Sequence, residues 1–341
     1  MERYNIVFIE TEWSRADMLG RRVEDFVIRE FESFGASVVR IAKKESYKEE
    51  SALLPDCVNV VLTLDMPLAR QSDVVALAKK MKKDKINCVH LGAMHSLAKI
   101  CVGNDAKGGV FSSSSAFFKI DDAKSYNLVY NRLKDELLDK LLARGVRIFD
   151  KATTFVDDTA KIESGATILP FCRIEGESFV GAKSVVSASY IRDSVIDGAT
   201  VEWSHIVCSH VHARATVGPY ARLRRAVVGE GCRVGDFVEV KASTLEKGVK
   251  ASHLSYIGDA EVGERTNVGC GTVFCNFDGK NKNKTTVGCD CFLGANTNLV
   301  APLVVGDKAF IAAGTTVTRD VDESTFTIGR VRQDTVKNER K

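Results

Sequence analysis

No segment of this 341-residue chain is long and apolar enough to span a bilayer; its most apolar runs, such as residues 58–64, fall far short of the roughly 20 residues a membrane helix needs. A charged leader with an apolar core is also missing, because Met1-Glu2-Arg3 leads straight into a short mixed strand, so a cytoplasmic location is expected. Charge of one sign is scarce. The 48 basic and 45 acidic residues are well mixed and leave a net charge of +3, too little for a nucleic-acid footprint, while small anionic ligands stay possible. None of the ten cysteines forms a C-x-x-C pair, and Cys270, Cys275, Cys289 and Cys291 have spacings that fit no standard zinc site. Reduced thiols acting as small core residues, with no metal, are the expectation. His205, His210 and His212 form the one histidine cluster and read as satisfied or exposed side chains. A length of 341 residues favours two domains and permits one elongated one.

What the chain does have is a period of six. Apolar residues recur at Val156, Ile162, Ile168, Ile174, Val180 and Val186, and again at Val287, Leu293, Leu299, Val305, Ile311 and Val317. Glycine often follows the apolar position, as at Gly181, Gly229 and Gly294, and a small residue commonly sits four after it, as at Ala160, Ala166, Cys172, Ser178 and Ser184. A helix repeats at 3.6 and a half-buried strand at 2; a step of six with glycine at the corner describes short strands turning regularly, a hexapeptide β-helix. Three such sides make one coil, so residues 151–330 supply roughly ten coils stacked about 4.8 Å apart, a solenoid about 45 Å long. Periodicity alone leaves the hand of the coil open.

Between the two runs, Val217/Leu223, Val228/Val234/Val240 and Val262/Val268/Phe274 keep the step, and the pattern slips where these pieces join. From Val186 to Val211 the apolar residues also fit a step of five, through Ile191, Ile196, Val201 and Ile206, and the register there is ambiguous. The span from Val240 to Val262 falls two positions short of a multiple of six. The span from Phe274 to Val287 overshoots a single step by seven and contains a polar projecting loop, residues 275–284. Breaks in a sequence's own rule are where function is often accommodated.

Residues 1–120 have an alternating α/β texture. Residues 5–10 read as a strand, 21–34 as an amphipathic helix ended by Gly35, 37–41 and 58–64 as buried strands, and 74–81 as a helix. Residues 104–115, rich in glycine and serine, read as a mobile loop that lacks the Lys-Ser/Thr of a phosphate-binding loop. Asp121 or Asp122 then caps a helix carrying Leu133, Leu137 and Leu141 and ending at Gly145. Residues 121–150 are thus expected to connect the α/β domain to the coil, and 331–341 form a tail.

Five segments carry a resemblance: Gly218-Pro219-Tyr220-Ala221-Arg222-Leu223-Arg224, Gly235-Asp236-Phe237-Val238-Glu239-Val240-Lys241, His253-Leu254-Ser255-Tyr256-Ile257-Gly258-Asp259-Ala260, Cys275-Asn276-Phe277-Asp278-Gly279 and Ala312-Ala313-Gly314-Thr315-Thr316-Val317-Thr318. In this order they resemble the acetyltransferase domain of the bifunctional N-acetylglucosamine-1-phosphate uridyltransferase/glucosamine-1-phosphate N-acetyltransferase family. The resemblance implies a left-handed triangular β-helix forming a homotrimer with active sites between subunits, and acetyl transfer from acetyl-CoA to glucosamine 1-phosphate on the way to UDP-N-acetylglucosamine. It implies no metal for that step. It places the general base on His253, the sugar-phosphate contacts on Arg224, Lys241, Tyr256, Asn267 and Lys282, and the acetyl-CoA contacts on Cys270, Asn276, Phe277, Ala295, Ala313 and Arg330. Ala295 and Ala313 are separated by three steps of six, one full coil, so the coil independently predicts that they stack.

Three positions depart from the family, which usually has tyrosine at Phe277, serine at Ala295 and alanine at Cys270. The first half resembles the family's uridyltransferase domain more faintly. Leu62-Thr63-Leu64-Asp65-Met66-Pro67-Leu68 is similar to its metal and nucleotide strand, but the glycine-rich signature expected after the first strand is replaced by Glu10-Thr11-Glu12-Trp13-Ser14-Arg15. Backbone amides do not readily cradle a triphosphate at a loop with two carboxylates and an indole. The domain is therefore read as shortened and degenerate for nucleotidyl transfer. Two alternatives remain open at the coil: a different amino-sugar phosphate or nucleotide-linked amino sugar as acceptor, and a non-catalytic trimeric sugar-phosphate-binding scaffold.

Overall fold

The structure, a computed structural model, describes residues 3–32, 34, 38–48, 52–92, 97–103, 110–112, 115–333 and 335. Most of the glycine- and serine-rich stretch at 104–115, and Gly35, lie outside them. The chain divides into two compact units, residues 1–136 and 137–341.

The first unit contains β1 (Tyr4–Glu10), a small hairpin of β2 (Asp17–Met18) and β3 (Arg21–Arg22), α1 (Val23–Phe31), β4 (Val38–Lys43), β5 (Val58–Thr63), α2 (Gln71–Asp84), β6 (Cys88–Leu91), β7 (Lys99–Val102) and β8 (Val110–Ser112). The sheet runs β4-β1-β5-β7-β6-β8, with β1 parallel to both β4 and β5 and with β7 antiparallel to β5 and β6. The expected α/β pattern is present, with three corrections: the first helix ends at Phe31 and not at residue 34, Ile41 of a strand expected to be buried is exposed, and the start of the helix moves. Arg21 and Arg22 pair with Met18 and Asp17, and the helix begins only at Val23, where the Asp25 carboxylate accepts the Arg22 N–H at 3.0 Å. Strands β1 and β5 are buried along almost their whole length, as parallel strands covered on both faces must be.

The two units meet in sequence within α3 (Ala123–Ala143). Asp122 is its cap: its carboxylate accepts the Ser125 N–H at 2.6 Å, and that bond holds the Asp122 carboxyl below the ordinary range. Gly145, at a φ of 92°, lets the Val146 N–H reach back to the Leu141 carbonyl and close the helix.

The second unit is a three-sided parallel solenoid that matches a left-handed β-helix of hexapeptide repeats. Among the described residues, its first side is a 10-stranded sheet from Thr154–Val156 to Thr316–Val317, its second a 9-stranded sheet from Lys161–Ile162 to Leu303–Val305, and its third an 11-stranded sheet from Arg147–Ile148 to Phe326–Thr327. Every apolar residue of the six-step runs is buried in one continuous core.

The slips resolve into a second kind of edge. Ile191, Ile196, Val201, Ile206 and Val211 are all core residues, so the step there is five. Coils accordingly shorten from three edges of six, where Thr154 pairs with Cys172, to three edges of five, where Tyr190 pairs with His205. They recover to two edges of six and one of five where Arg222 pairs with Glu239. The irregular span from Val240 to Val262 is two edges of five flanking two of six, through Leu245, Ala251 and Ile257. What distinguishes the edges is the corner residue with positive φ. It stands two residues after the core residue on the five-residue edges, as at Ala188, Asp193, Trp203, Cys208, Arg225, Ala242 and Asp259, and mostly three after it on the six-residue edges, as at Lys183, Arg214 and Phe237. A left-handed conformation costs a non-glycine residue about 1–2 kcal/mol. At Ser189, Ser194, Ser204, Ser209 and Ser243 the next residue offsets part of that, its hydroxyl donating to the carbonyl two residues back.

Candidate functional site

The corner between the third and first sides carries a column of expected site residues. Asp236 and His253 are register partners ending the strands Arg233–Asp236 and Lys250–His253, and an Asp236 carboxylate oxygen lies 3.9 Å from His253 Nδ1. The coils close so tightly here that a Cβ at Gly235 would stand 2.8 Å from the Ser252 carbonyl carbon, so only glycine fits. The same coil offset that pairs Lys250 with Asn267 sets Cys270 beside His253, and the Gly271 N–H donates to the Leu254 carbonyl at 2.8 Å. The column continues through the Asn296 N–H on the Cys270 carbonyl at 2.7 Å, the Gly314 N–H on the Ala295 carbonyl at 2.8 Å, and Arg330 Nη1 on the Ala313 carbonyl at 2.7 Å. His253, Cys270, Ala295, Ala313 and Arg330 therefore stack in order, with Ala295 and Ala313 one coil apart. The side chains of Asp236, His253 and Cys270 face solvent. Asn267 stands off this column, on the third side between Lys250 and Phe292.

The corner between the first and second sides is of a different kind. Arg224, Lys241 and Gly258 are in register on three successive coils. The Arg224 guanidinium is held by the Glu239 carboxylate, with Nε at 3.1 Å. Lys241 is buried, its ammonium 3.8 Å from the Asp259 carboxylate. Asn276 donates its amide to Asp259 and, at 3.3 Å, to the Tyr256 hydroxyl. Gly258 leaves room for both: a Cβ there would lie 2.6 Å from Tyr256 Cζ and 2.7 Å from Asn276 Nδ2.

The projecting loop emerges at this same corner and lengthens one coil, so that Val273 pairs with Asn298. It is a small hairpin in which Phe277 bridges Lys282, Asp278 accepts the N–H groups of Lys280 and Asn281 at 2.8 and 2.7 Å, and the Asn283 N–H donates to the Asn276 carbonyl at 2.7 Å. The bonds to Asp278 hold its carboxyl below the ordinary range. The hairpin returns Lys282 against Lys241, whose ammonium pushes the Lys282 pKa down from the usual lysine value. A cleft of about 520 Å³, lined by Arg225, Ser243, Asp259, Glu261 and Lys282 among others, lies beneath it. Two neighbouring ammonium groups, with Asn276 and Tyr256 beside them, are suited to an anion.

The structure thus gathers Lys241, Tyr256, Asn276 and Lys282 at one corner and His253 and Cys270 at another, with the first side of the prism between them. Arg224 lies in register with the first group, and Phe277 projects from the loop. Asp259, which orders Lys241 and Asn276, and Asp236, which faces His253, were not assigned a role from sequence. Their signal was positional: each lies at a coil offset from a residue that was.

In the first unit, Asp65, two residues after β5, is buried with no hydrogen bond to either carboxylate oxygen among the described residues, and Lys119 Nζ is 3.7 Å away. Among the described residues an ammonium faces that carboxylate. Among the described residues no three His, Cys, Asp or Glu side chains converge as a metal site would require. Where the glycine-rich signature was missing, residues Glu12–Arg15 form a 3₁₀ turn, with Trp13 packed against Tyr126 at 5.8 Å between ring centres.

Known proteins share much of this sequence. The bifunctional protein GlmU of Clostridium novyi (strain NT) is 44% identical over 208 residues, which are 60% of this chain and 46% of that protein. GlmU of Clostridioides difficile (strain 630) is 38% identical over 245 residues, 69% of this chain and 52% of that protein. This chain resembles the GlmU bifunctional proteins. It spans about half the length of these GlmU relatives. No family model matches the chain. Among solved structures, a UDP-N-acetylglucosamine acyltransferase of Francisella novicida aligns with 17% identity and a TM-score of 0.30 over 51% of this chain and 63% of that one. No helix among the described residues is long and apolar enough to cross a membrane.

Proposed function

We propose that the coil is an acetyl-CoA-dependent N-acetyltransferase that converts glucosamine 1-phosphate to N-acetylglucosamine 1-phosphate, in the cytoplasm and as a homotrimer. The observation that carries this reading is the pair of ammonium groups, Lys241 and Lys282, held together at a corner whose neighbours Tyr256 and Asn276 offer polar contacts for a sugar phosphate. A bound dianion relieves their mutual repulsion.

The reaction is attack of the sugar 2-amine on the thioester. Only the neutral amine attacks, and an imidazole is suited to accept its proton, an effect typically worth about 10²- to 10⁴-fold. His253 is the group for this, with Asp236 facing its Nδ1. The Cys270 N–H, which donates to no group among the described residues, is placed to stabilise the developing oxyanion. Separation of the two corners within one chain supports the homotrimer, because a neighbouring copy is then needed to bring His253 to a sugar held by Lys241 and Lys282. So does the ridge of exposed Trp203, Tyr220, Phe237 and Leu254 along the His253 corner, with Tyr220 and Phe237 stacked at 5.4 Å. In the first unit, the Asp65–Lys119 pair supports loss of uridyltransferase activity.

The experiment is a panel of amino-sugar phosphates with acetyl-CoA, following free thiol. Turnover with glucosamine 1-phosphate supports the reading. Turnover only with another acceptor, such as galactosamine 1-phosphate, transfers the mechanism to that sugar, and binding without thiol release makes the coil a scaffold. Pyrophosphate release from UTP and N-acetylglucosamine 1-phosphate would overturn the reading of the first unit.

A further inference from the structure

The last three coils carry a ladder of rings on the third side of the prism. Phe292, Phe310 and Phe326 follow Asn267 as successive register partners. Their rings stack at 4.7 and 5.6 Å between centres, with planes only 17° and 28° apart, and all three are exposed. The stack has an open end: Phe326 is 64% exposed, and no further ring lies on it among the described residues. A contiguous exposed apolar patch of this kind marks an interaction site more often than ordinary surface. On the same coils Ala295, Ala313 and Arg330 form a parallel column, about 10 Å further along the strand. Gly294 and Ala312 between the two columns are buried, so the rings stand over a low floor that ends at the Arg330 guanidinium. Nη1 of that guanidinium donates to the Ala313 carbonyl at 2.7 Å, and its other N–H groups have no partner among the described residues. Resting on the acetyltransferase reading above, we propose that the open face of Phe326 is a stacking platform for the adenine ring of coenzyme A, with the rings below fixing its tilt and Arg330 beside the diphosphate.

The order of groups along the column matches the order of groups in that molecule. His253 and Arg330 are four coils apart, about 19 Å, and Phe326 belongs to the same coil as Arg330. A thioester carbonyl at His253 therefore lays an extended pantetheine arm across Ala295 and Ala313, brings the diphosphate level with Arg330 and carries the adenine to the end of the ladder. A purine continues a column of offset-stacked rings as its next rung, because its flat π face meets an aromatic side chain as another ring would. In the homotrimer proposed above, each copy gives its His253 corner to one neighbour and its Lys241 corner to the other. The first side, which lies between those corners, then turns inward, and the third side with its ladder stays on the outside, open to a ligand. No bond forms or breaks at the ladder. Its part is affinity and choice of donor: it favours a thioester that carries the nucleotide over a shorter one with the same acyl group.

The test uses the full chain, with calorimetry of coenzyme A binding and steady-state turnover of glucosamine 1-phosphate by two donors, acetyl-CoA and S-acetylpantetheine, which lacks the nucleotide. The expected result is that Phe326→Ala weakens coenzyme A binding about tenfold or more and raises the acetyl-CoA KM by the same factor, with kcat and the S-acetylpantetheine KM unchanged. Phe326→Leu keeps apolar area without a ring and should behave as Phe326→Ala does, whereas Phe326→Trp should bind at least as tightly as the unaltered chain. That split separates stacking from simple burial. The exposed position of Phe326 leaves these variants folded, which circular dichroism checks. If Phe326→Leu binds coenzyme A as the unaltered chain does, or if Phe326→Ala raises both KM values equally, the proposal is overturned. It is also overturned if Phe326→Ala lowers the oligomer mass in light scattering, because the ladder then meets a second copy. Ring-dependent binding of coenzyme A without turnover of any amino-sugar phosphate keeps the platform and overturns the acetyltransferase reading, and no binding of coenzyme A at all overturns both.

Discussion

The two corners that flank the first side of the prism are built on opposite principles. At the corner of His253, the backbone is paired from coil to coil while the side chains stand bare to solvent. At the corner of Lys241, the side chains satisfy one another: Asp259 holds Lys241 and Asn276, Asn276 holds Tyr256, and the loop hairpin delivers Lys282. The first arrangement leaves its side chains open to solvent. Under the proposed function the second is a preorganised receptor, its groups ordered by one another, which is where oriented charges are worth most. Under the function proposed above, chemistry falls at one corner and recognition at the other, and the same repeat supports both.

The comparison is best broken at its reactive end. His253→Ala should lower kcat by about 10²- to 10⁴-fold while leaving acceptor binding nearly unchanged, as read by steady-state kinetics and calorimetry. At the receptor, Gly258→Ala forces Tyr256 and Asn276 away from a Cβ with no room, and a displacement of about 1 Å there should cost up to about 10²-fold in kcat/KM. If Gly258→Ala instead changes kcat alone, the division of labour between the corners is wrong.

A smaller effect sharpens the charge argument. Lys241 holds the Lys282 pKa below the usual lysine value, so at alkaline pH the free protein carries less than its full charge there. A bound phosphate raises that pKa again, and sugar-phosphate binding should take up protons as the pH rises toward it. Calorimetry in buffers of different ionisation enthalpy measures the uptake, and Lys282→Met should abolish it. The smallest effect concerns the corner itself. Ser243→Ala removes a hydroxyl bond to the Lys241 carbonyl and another to the Ala260 N–H at 2.9 Å, and should cost about 1–3 kcal/mol in chemical denaturation.

Much of this could be read from the chain because the core column is made of large branched residues. Val156 to Val186 and Val287 to Val317 announce their step, and the structure buries every member. The five-residue edges were harder. Their length is set by which residue takes a positive φ, and Ala188, Trp203 or Ala242 carry no mark of that in their identity. Ala251, a core residue too small to stand out, hid the step between Val240 and Val262. Asp236 and Asp259 stayed unassigned for a related reason: an acidic residue on a coil is ordinary until a lysine, an amide or an imidazole on the neighbouring coil faces it. In the first unit, the strand leading to Asp65 was legible, whereas the Lys119 ammonium opposite it comes from a distant point in the chain, beyond β8, and leaves no local trace.

The hairpin of residues 275–284 has a consequence for how such a molecule could be remodelled. It adds residues at one vertex, yet the coil above resumes with Leu293 over Val268 and Leu299 over Phe274, as if nothing had intervened. Segments grafted or trimmed at that vertex would leave the apolar spine undisturbed. The scaffold therefore behaves like a rack with interchangeable fittings, in which the vertex can change while the framework behind it stays the same.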